Sequence, residues 1–580
     1  MYSEYEIRTI PLSVKSNREK VEKFLQFNNL RLDDVDYFAG VFRLEEYEIL
    51  ACGGLKENLI KCIAVSEELK GSGLSNRLMS HLISIANSNG YSTIRVFTKP
   101  TNKDIFTSLG FNLLASSEKA ILLENNSLQL NDYLNYLSKH CKQGTNGCIV
   151  MNCNPFTLGH QYLIEQSARK VDNLYIIPVK EDVSMFSYSE RKMMIEEGTK
   201  HIENTIVLEG SDYAISKTTF PTYFLKDIND LTDSYITLDL DIFCKLIAPA
   251  LNIKYRFIGS EPIDLLTNRY NTLIRQILEQ NKIKVLETKR LEKENCAISA
   301  SVVRNQVIKN SFRRLKNLVP IIIYPFLISR LATQSLQTEL DLTPKPGLVD
   351  KHDSGSHKDM DYDLMKKSIN ALHPYFTKLA QLGYREDLPF VKEIQALGLQ
   401  AENAMFKTTN GINTHKGALF SMGLVIICAS HLLYTYDNIS KENLQICISM
   451  LASRWEQPEY THGNQVLKTY RIKGALYNAI DGYKDLFQIW LPYYTKHKDE
   501  KHCLHKLLLL IMSSLDDTNI YYRKDTQTVE RVKKQAKELF ENFDIEKLQQ
   551  LNIEYIKENI SSGGAADMLS LTLFIYSLLN

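Results

Sequence analysis

The sequence predicts a multidomain protein in which an α+β segment, an α/β segment and an all-α segment follow one another. Its 580 residues suffice for about three domains of ordinary size. Up to about residue 325, short apolar runs typical of strands alternate with helical patterns, whereas long helical stretches dominate afterwards. We therefore place the domains at residues 1–140, 145–325 and 329–580.

The composition narrows the class of protein. Hydrophobic residues make up 44% and charged residues 24% of the chain, as is typical of globular domains, and a net charge of +1 produces no field that recruits nucleic acid. The first residues lack a secretory pattern, and the apolar runs 318–327 and 507–512 are too short to span a bilayer. Ten cysteines without C-x-x-C spacing indicate reduced thiols and no zinc site. The sequence thus predicts a cytoplasmic protein without nucleic-acid or membrane partners.

The first segment has a Gly-x-Gly turn between a strand and a helix. Strands are predicted at 51–55 and 60–65, and Gly71 and Gly73 come just before a helix with an apolar face. A strand, a short helix and another strand follow at 93–97, 102–109 and 110–114. This order resembles the GCN5-related N-acetyltransferase (GNAT) fold, which implies that the amides of Gly71 and Gly73 bind the pyrophosphate of a CoA-type arm. Glu68 stands where that family usually has Gln or Arg, so an inherited fold with weakened CoA binding is the alternative.

The second segment is organised around residues 152–160, which connect a predicted strand at 147–151 to a helix. Thr157 is placed as the N-cap, and Gly159 lets a backbone amide approach a ligand closely. His160 falls in the first helical turn, where free amides and the helix dipole favour phosphate. The sequence therefore predicts a phosphate-binding turn, and a turn that merely caps a helix is the alternative.

The T-x-G-H pattern that ends at His160 resembles the signature of the nucleotidyltransferase (HIGH) superfamily, which has a Rossmann-like fold. The resemblance implies that His160 contacts ATP phosphates and stabilises charge at the α-phosphate, with Thr157 in place of the first signature histidine. A second phosphate site is predicted where a helix opens near residue 300, because an arginine there offers a fixed fork of donors. The predicted ATP-binding residues of this segment are Asn154, Thr157, Gly159, His160, Ser299, Ser301 and Arg304.

Longer sequence blocks resemble the citrate lyase ligase family, and a GNAT-like front segment is found in that family too. The blocks lie at residues 154–160, 210–213, 219–226, 238–243 and 298–301. The resemblance covers about residues 1–325. It implies ATP-driven acetylation of the thiol on the prosthetic arm of the citrate lyase acyl carrier subunit. Acetate would attack the α-phosphate to give acetyl-AMP, and Mg²⁺, His160 and Arg304 would offset the developing charge.

The third segment contains polar blocks at 343–350, 355–361, 411–417, 514–518 and 563–567, each at a predicted loop or helix start. Clustered carboxylates suit Mg²⁺ bound to a triphosphate, and five N-capped helices with solvated charges are the alternative. The catalytic candidates are Asp359, Asp361, Asp516 and Asp517, of which the last two are also the predicted metal ligands. The further ATP-binding candidates are Lys345, His415, Lys416 and Asp567.

These blocks resemble triphosphoribosyl-dephospho-CoA synthase, although Ala565 stands where that family usually has serine. The resemblance implies that the ribose 2′-hydroxyl of 3′-dephospho-CoA is joined to C1 of the ATP ribose and that adenine leaves. Such a step passes through oxocarbenium-like charge. The sequence therefore predicts a bifunctional enzyme that uses ATP and Mg²⁺ to mature citrate lyase. Three alternatives stay open. One half of the fusion could be inactive and kept for docking, or the whole chain could be a non-catalytic scaffold that binds the carrier. The precursor could also be delivered to malonate decarboxylase.

Overall fold

A computed structural model describes residues 4–44, 46–69, 71–180, 184–214, 228–260, 265–293, 296–309, 311–455 and 474–580. The predicted block 219–226 lies outside these residues. The chain divides into two compact units, Met1–Ile298 and Ser299–Asn580. Each unit is described by itself.

A mixed sheet of seven strands begins the first unit. The strand order is β1-β2-β3-β4-β5-β7-β6, with β4 parallel to β5 and the other described pairs antiparallel. The strands are β1 (Tyr5–Thr9), β2 (Tyr37–Arg43), β3 (Ala51–Lys56), β4 (Leu59–Val65), β5 (Arg95–Thr98), β6 (Asn112–Ser116) and β7 (Ile121–Glu124). The accompanying helices are α1 (Lys15–Phe27), α2 (Leu74–Ser88), α3 (Lys103–Ser108) and α4 (Leu128–His140).

A parallel sheet of five strands in the order β10-β9-β8-β11-β12 forms the rest of this unit. The strands are β8 (Asn146–Met151), β9 (Asn173–Pro178), β10 (Thr205–Val207), β11 (Ile253–Gly259) and β12 (Lys284–Thr288), and β13 (Glu292–Lys293) pairs with β14 (Cys296–Ala297). The helices are α5 (Leu158–Ala168), α6 (Tyr188–Thr199), α7 (Ile228–Ile242), α8 (Ala248–Ala250) and α9 (Leu265–Gln280). Every residue of β9 is buried, as expected for a parallel strand covered on both faces.

The two sheets of the first unit share one hydrophobic core. Phe38 and Leu122 of the mixed sheet belong to the same buried cluster as Tyr175 and Ile177 of β9. A hydrogen bond from Ser116 N to Asp241 Oδ2, at 2.9 Å, also joins the mixed sheet to α7. The first segment therefore packs together with the parallel-sheet segment in one unit.

The described part of the second unit is helical. Its helices are α10 (Ala300–Ile308), α11 (Phe312–Leu315), α12 (Tyr324–Asp341), α13 (Tyr362–Gly383), α14 (Val391–Thr408), α15 (Lys416–Tyr436), α16 (Lys441–Ala452), α17 (Ala475–Ile480), α18 (Leu491–His497), α19 (Cys503–Ser514), α20 (Thr518–Arg523), α21 (Thr526–Glu541), α22 (Ile545–Glu558) and α23 (Gly563–Leu579). Amphipathic spacing explains the surface helices: α21 buries Val529, Val532, Ala536 and Leu539, three or four residues apart.

Helix α15 is apolar on nearly all sides and lies in the middle of the second unit. It is long and hydrophobic enough to cross a membrane, with a mean hydropathy of 1.8, yet 78% of that window is buried inside the protein. It packs against α12, α13, α16 and α23. A core helix and a membrane span pass the same test of length and composition, so this test alone does not indicate a span.

The structure confirms the coarse prediction of an α/β N-terminal region with a mixed sheet and a helical C-terminal half. Strands predicted at 147–151 and 60–65 appear as β8 and β4 within one residue at each end. The two-unit division falls before α10, which the sequence assigns to the segment 145–325. The three-domain boundaries stay predictions.

Candidate active sites

The turn after β8 lies where the order of the parallel sheet reverses, since β9 is on one side of β8 and β11 on the other. In open α/β sheets, ligands bind in the crevice at this switch point. The backbone of the turn is unusual: the Asn154–Pro155 peptide bond is cis, and Cys153 has a φ of 49°. The Cys153 thiol is buried, which raises its pKa and makes it an unreactive thiol.

Thr157 and His160 hold each other at the start of α5. The His160 backbone N–H donates to Thr157 Oγ1 at 3.3 Å, and the Thr157 backbone N–H donates to His160 Nδ1 at 3.1 Å. Because Nδ1 accepts this bond, the neutral ring carries its proton on Nε2. Thr157 is buried, so it positions the imidazole, and the Nε2–H is the group left to meet a ligand.

Burial lowers the pKa of His160 to about 4, and the positive charge of Arg290 adds to the effect. At neutral pH the ligand-free ring is therefore an uncharged donor. A bound phosphate would favour the protonated form, because an opposite charge raises the pKa of an imidazole. Arg290, which no local motif singles out in the sequence, supplies a guanidinium near the same turn.

Arg191 is a second residue that the sequence does not reveal. It is fully buried and donates to Asn152 Oδ1 at 2.7 Å and to the carbonyls of Asn152 and Val179 at 3.0 and 2.8 Å. These contacts fix the end of β8 against the end of β9. The predicted ligand Asn154 is also buried, and its Oδ1 accepts from the backbone N–H of Phe186 at 3.2 Å.

Gly159 lies close to the backbone of Ile298. A Cβ at this position would lie 3.1 Å from the carbonyl oxygen of Ile298. The missing side chain therefore lets α5 approach the segment at Ile298, in addition to the ligand approach that the sequence predicts.

The predicted second phosphate site begins the second unit. Ser299 is the N-cap of α10, and its Oγ accepts from the Val302 backbone N–H at 3.3 Å. Ser299 Oγ and Ser301 Oγ lie 2.9 Å apart, and Arg304 is half-buried one turn further along the helix. Two hydroxyls therefore lie at the start of α10, and their role as a phosphate site stays a prediction.

The Gly-x-Gly turn of the first segment is open. Gly71 and Gly73 both have a φ of +82°, and no atom lies within 4 Å of a Cβ placed on either. Gly73 is the N-cap of α2. The turn therefore offers accessible backbone amides in a conformation that favours glycine.

A cavity of about 440 Å³ in the second unit gathers most candidates of the third segment. It is bounded by α12, α15, α20 and α23 and by the loop before α13. The predicted residues that line it are Lys345, Asp359, His415, Lys416, Asp516, Asp517 and Asp567. Asp361 does not line it and instead caps α13, where its Oδ1 accepts from the Leu364 backbone N–H at 2.8 Å.

Lys345 and Glu339 form a buried pair in the wall of the cavity. The Lys345 ammonium contacts a Glu339 carboxylate oxygen and donates to the Glu339 carbonyl at 2.9 Å. Both side chains are buried, and burial raises the pKa of Glu339 while Lys345 opposes that shift. Lys345 thus offsets a neighbouring carboxylate, so its charge is only partly available to a phosphate.

Asp517 joins two of the predicted blocks. It is buried, and its carboxylate accepts from the backbone N–H of Asn519 at 2.9 Å and of Ala565 at 3.0 Å. It therefore caps both α20 and α23. A Cβ on Gly564 would lie 3.0 Å from this carboxylate, which explains a glycine there. Burial raises the pKa of Asp517 even though these amides favour its ionised form.

Asp567 lines the cavity without a hydrogen-bond donor among the described residues. Burial raises its pKa well above the usual range, and the charges of Glu339 and Asp517 add to the shift. Its Oδ2 would lie 2.1 Å from a Cβ on Gly417, in the first turn of α15. The carboxyl group therefore occupies the space that a side chain at Gly417 would fill.

The resemblance to the synthase implies release of adenine from ATP and dephospho-CoA. Replacing Gly417 with alanine is expected to lower this activity by about a hundredfold, because the added methyl would displace the Asp567 carboxyl group and a shift of about 1 Å at a functional group costs that much. The rate of free-adenine formation from ATP and dephospho-CoA measures the effect. In an Asp567→Ala background the same change should cost nothing further. Additive losses in the double variant would contradict the contact between Gly417 and Asp567.

His415 is a buried neutral imidazole. Its Nδ1 lies 2.9 Å from Ser368 Oγ, and its Nε2 is buried without a hydrogen-bond partner among the described residues. Burial lowers the pKa of His415 to about 3, with a further contribution from Lys345. Because an unsatisfied buried nitrogen is costly, this edge of the cavity is suited to a polar ligand.

The second unit is expected to lose stability as the pH falls from 6.5 towards 3, because unfolded but not folded His415 binds a proton in that window. At pH 5 the loss from this residue is about 2 kcal/mol, and His415→Gln should remove it. Both tryptophans, Trp455 and Trp490, belong to this unit, so urea unfolding followed by tryptophan fluorescence measures it selectively. Equal acid sensitivity of the variant and the wild type would contradict the assignment.

The remaining candidates lie towards the cavity mouth. Asp516 Oδ1 is 2.5 Å from Lys533 Nζ, and Lys416 Nζ is 2.6 Å from Glu402 Oε1. Asp359 is exposed. No group of three or more His, Cys, Asp or Glu residues suited to a metal ion occurs within the described ranges.

Arg523 and His357 are cavity residues that are not among the site residues predicted from the sequence. Arg523 Nη2 lies 3.3 Å from His357 Nδ1, and His357 Nε2 lies 3.0 Å from Ser561 Oγ. Burial lowers the pKa of His357, and Arg523 lowers it further. The guanidinium on α20 is therefore the cation best placed to meet phosphates within this wall.

The geometry defines a chain with two candidate active sites of different kinds. One is a phosphate-type turn in an α/β unit, and the other is an acidic cavity in a helical unit. Comparison with known proteins gives the same division. The citrate lyase ligase C-terminal domain matches residues 146–327, and ATP:dephospho-CoA triphosphoribosyl transferase matches residues 325–580.

Individual relatives extend these matches. The citrate (pro-3S)-lyase ligase of Klebsiella pneumoniae is 38% identical over 333 residues, which are 56% of this chain and 97% of that protein. The ligase of Escherichia coli (strain K12) is 38% identical over 53% of this chain and 89% of its own length. A probable 2-(5''-triphosphoribosyl)-3'-dephosphocoenzyme-A synthase of Streptococcus mutans is 35% identical over 43% of this chain and 94% of that protein.

The chain therefore belongs to the citrate lyase ligase family in its N-terminal part and to the triphosphoribosyl-dephospho-CoA synthase family in its C-terminal part. It is a bifunctional enzyme of citrate lyase maturation, a ligase and a transferase in one polypeptide.

Proposed function

We propose that the turn at His160 binds ATP and promotes attack of acetate on the α-phosphate, giving acetyl-AMP and pyrophosphate. The observation that carries this is the tautomer fixed by Thr157, which presents Nε2–H at the start of α5. A donor placed in advance stabilises charge that develops in the transition state. Ser299, Ser301 and Arg304 keep their predicted role as a second phosphate site. The Rossmann-like order of the parallel sheet supports assignment to the HIGH superfamily.

The acetyl group then passes to the thiol of the prosthetic arm on the citrate lyase acyl carrier subunit, and AMP leaves. We assign the arm to the first segment, at Gly71 and Gly73. Two observations support the GNAT-like classification. Strands β4 and β5 form the single parallel pair among the described pairs of this sheet, and α2, which connects them, follows the glycine turn directly. Because the two sheets share a core, this role is testable by substitution and not by deletion of residues 1–140.

Replacing Gly71 and Gly73 with aspartate is expected to lower carrier acetylation at least about tenfold, because carboxylates repel the pyrophosphate of the arm. Acetyl-AMP formation, trapped with hydroxylamine as the hydroxamate, should persist. Asparagine at both positions imposes the same backbone strain without charge and is the matched control. Equal carrier acetylation by the aspartate and asparagine variants would contradict this role.

The helical cavity would join the 2′-hydroxyl of dephospho-CoA to the ATP ribose with loss of adenine. Among the buried carboxyl groups of the described cavity wall, Asp567 has no donor neutralising it, whereas Glu339 has Lys345 and Asp517 has backbone amides. Asp567 is therefore the best base for the hydroxyl proton, and its carboxylate would also stabilise the positive charge at the anomeric carbon. Arg523 and the Nε2 atom of His415 would bind the triphosphate and ribose.

Mg²⁺ would accompany the triphosphate. The charges of Glu339 and Asp517 raise the pKa of Asp567, and Lys345 balances only Glu339. Mg²⁺ typically takes one or two carboxylates together with substrate phosphates, so its binding does not need the three-residue cluster that is absent from the described ranges. Asp516 and Asp517 stay the predicted ligands. The ion would neutralise phosphate charge.

We assign the protein to the cytoplasm and keep the domain boundaries 1–140, 145–325 and 329–580 as proposals. The direct test incubates the protein with ATP, Mg²⁺ and dephospho-CoA and separates the products by chromatography. Free adenine in amounts equal to the new triphosphoribosyl product supports the C-terminal assignment. A folded protein that releases no adenine would refute it.

A further inference from the structure

A second concave surface lies beside the acidic cavity. It encloses about 380 Å³ between α13, α14 and α15. Its lining is mainly apolar and includes Leu379, Ile394, Leu399, Leu419, Phe420 and Leu424. The Trp455 ring meets Phe420 edge-on at 5.8 Å and forms one side. We name this surface the α14 groove.

The α14 groove opens next to the acidic cavity. Lys416 lines both, and its ammonium lies 2.6 Å from Glu402, another residue of the groove. His415, with its unsatisfied Nε2, is the residue before Lys416 and lines the acidic cavity. The two concave surfaces are therefore neighbours that meet at the Lys416–Glu402 ion pair.

The reaction requires more room than the acidic cavity offers. About 440 Å³ lies in the range for one drug-sized ligand, whereas the synthase combines two nucleotides. Dephospho-CoA also carries a long pantetheine arm that is largely apolar apart from its amides. The α14 groove supplies an apolar surface, with Gln395 and Glu402 as hydrogen-bonding groups.

We propose that the α14 groove binds the pantetheine arm of dephospho-CoA while the acidic cavity holds the reacting ends of the two nucleotides. This inference rests on the proposed synthase function. The arm is favoured over a protein segment because Lys416 borders both surfaces, so an arm attached to the reacting nucleotide would enter the groove by passing this side chain. Binding would bury the exposed Leu399 side chain, which is 60% accessible.

Gly398 allows the groove to be blocked without disturbing the fold. It lies within α14 and lines the groove, and a Cβ placed on it meets no atom within 4 Å. Gly398→Trp should raise the KM for dephospho-CoA at least about tenfold, with kcat and the KM for ATP unchanged, since losing even small apolar contacts costs this much. Leu399→Ala should raise the same KM by a smaller factor. Ile446→Trp, which adds the indole to an exposed position of α16, should change neither constant.

ADP separates the arm from the nucleotide, because it keeps the ribose 2′-hydroxyl but lacks pantetheine. Calorimetry should show that Gly398→Trp weakens the binding of dephospho-CoA and leaves that of ADP unchanged. Unchanged dephospho-CoA binding in both groove variants would overturn the proposal, as would loss of carrier-protein binding alone. Wild-type protein that binds dephospho-CoA in the groove yet releases no adenine would instead refute the synthase function and leave the groove assignment standing.

Discussion

Replacing His160 with alanine is expected to reduce acetate-dependent AMP formation by about a hundredfold to a thousandfold and to leave adenine release unchanged. The Nε2–H of His160 is the donor that the turn after β8 presents, and Thr157 fixes its tautomer. Burial keeps the ring neutral in the ligand-free protein. The loss should therefore appear mainly in kcat, because a donor fixed in advance interacts most strongly with the charge that develops in the transition state. Release of AMP in the presence of acetate and carrier measures it.

Two further variants separate chemistry from folding. His160→Asn keeps an acceptor for the Thr157 backbone N–H but removes the Nε2–H, so it should be as inactive as His160→Ala and more stable. His201→Ala removes an exposed histidine that pairs with Glu165, and it should retain full activity. Wild-type AMP formation by His160→Asn would show that Nε2–H is not the essential donor.

Replacing Asp567 with asparagine is expected to lower adenine release by about a hundredfold to ten-thousandfold. Asparagine has the same shape and cannot take the hydroxyl proton. Removing the carboxyl charge also relieves the repulsion from Glu339 and Asp517, so the second unit should be at least as stable as in the wild type. Stopped assays that quantify adenine by chromatography give the rate.

The matched control for Asp567→Asn is Asp499→Asn, which changes an exposed carboxylate of the same unit. It should release adenine at the wild-type rate. If Asp567→Asn also did so, the base would have to be another carboxyl group of the cavity, and Asp359 at its mouth would be the next candidate.

The sequence predicts the α/β turn well because its signals are local. A buried strand, an N-cap and a glycine occur within about fifteen consecutive residues, and β8 and α5 appear where expected. Arg191 and Arg290 were missed because each reaches this turn only through the tertiary fold. A buried arginine such as Arg191 has no local sequence signal, since the tertiary fold brings the carbonyl groups of Asn152 and Val179 to it.

In the helical site, the sequence predicts which blocks meet but not what each residue does there. Polar blocks far apart in the sequence do meet, because Asp517 caps α23 and Asp567 packs against Gly417. The role of each aspartate could not be assigned beforehand, since helix capping, ion pairing and an unpaired carboxyl group look alike in sequence. Asp361 caps α13 and Asp516 pairs with Lys533, whereas Asp567 has no such partner among the described residues.

The most direct test of two independent ATP sites is one reciprocal assay. Wild type, His160→Ala and Asp567→Asn are each given ATP and Mg²⁺ with either acetate plus carrier or dephospho-CoA, and AMP and adenine are quantified. We predict that His160→Ala loses AMP and keeps adenine, and that Asp567→Asn loses adenine and keeps AMP. Loss of both products in either folded variant would contradict the separation of the two reactions.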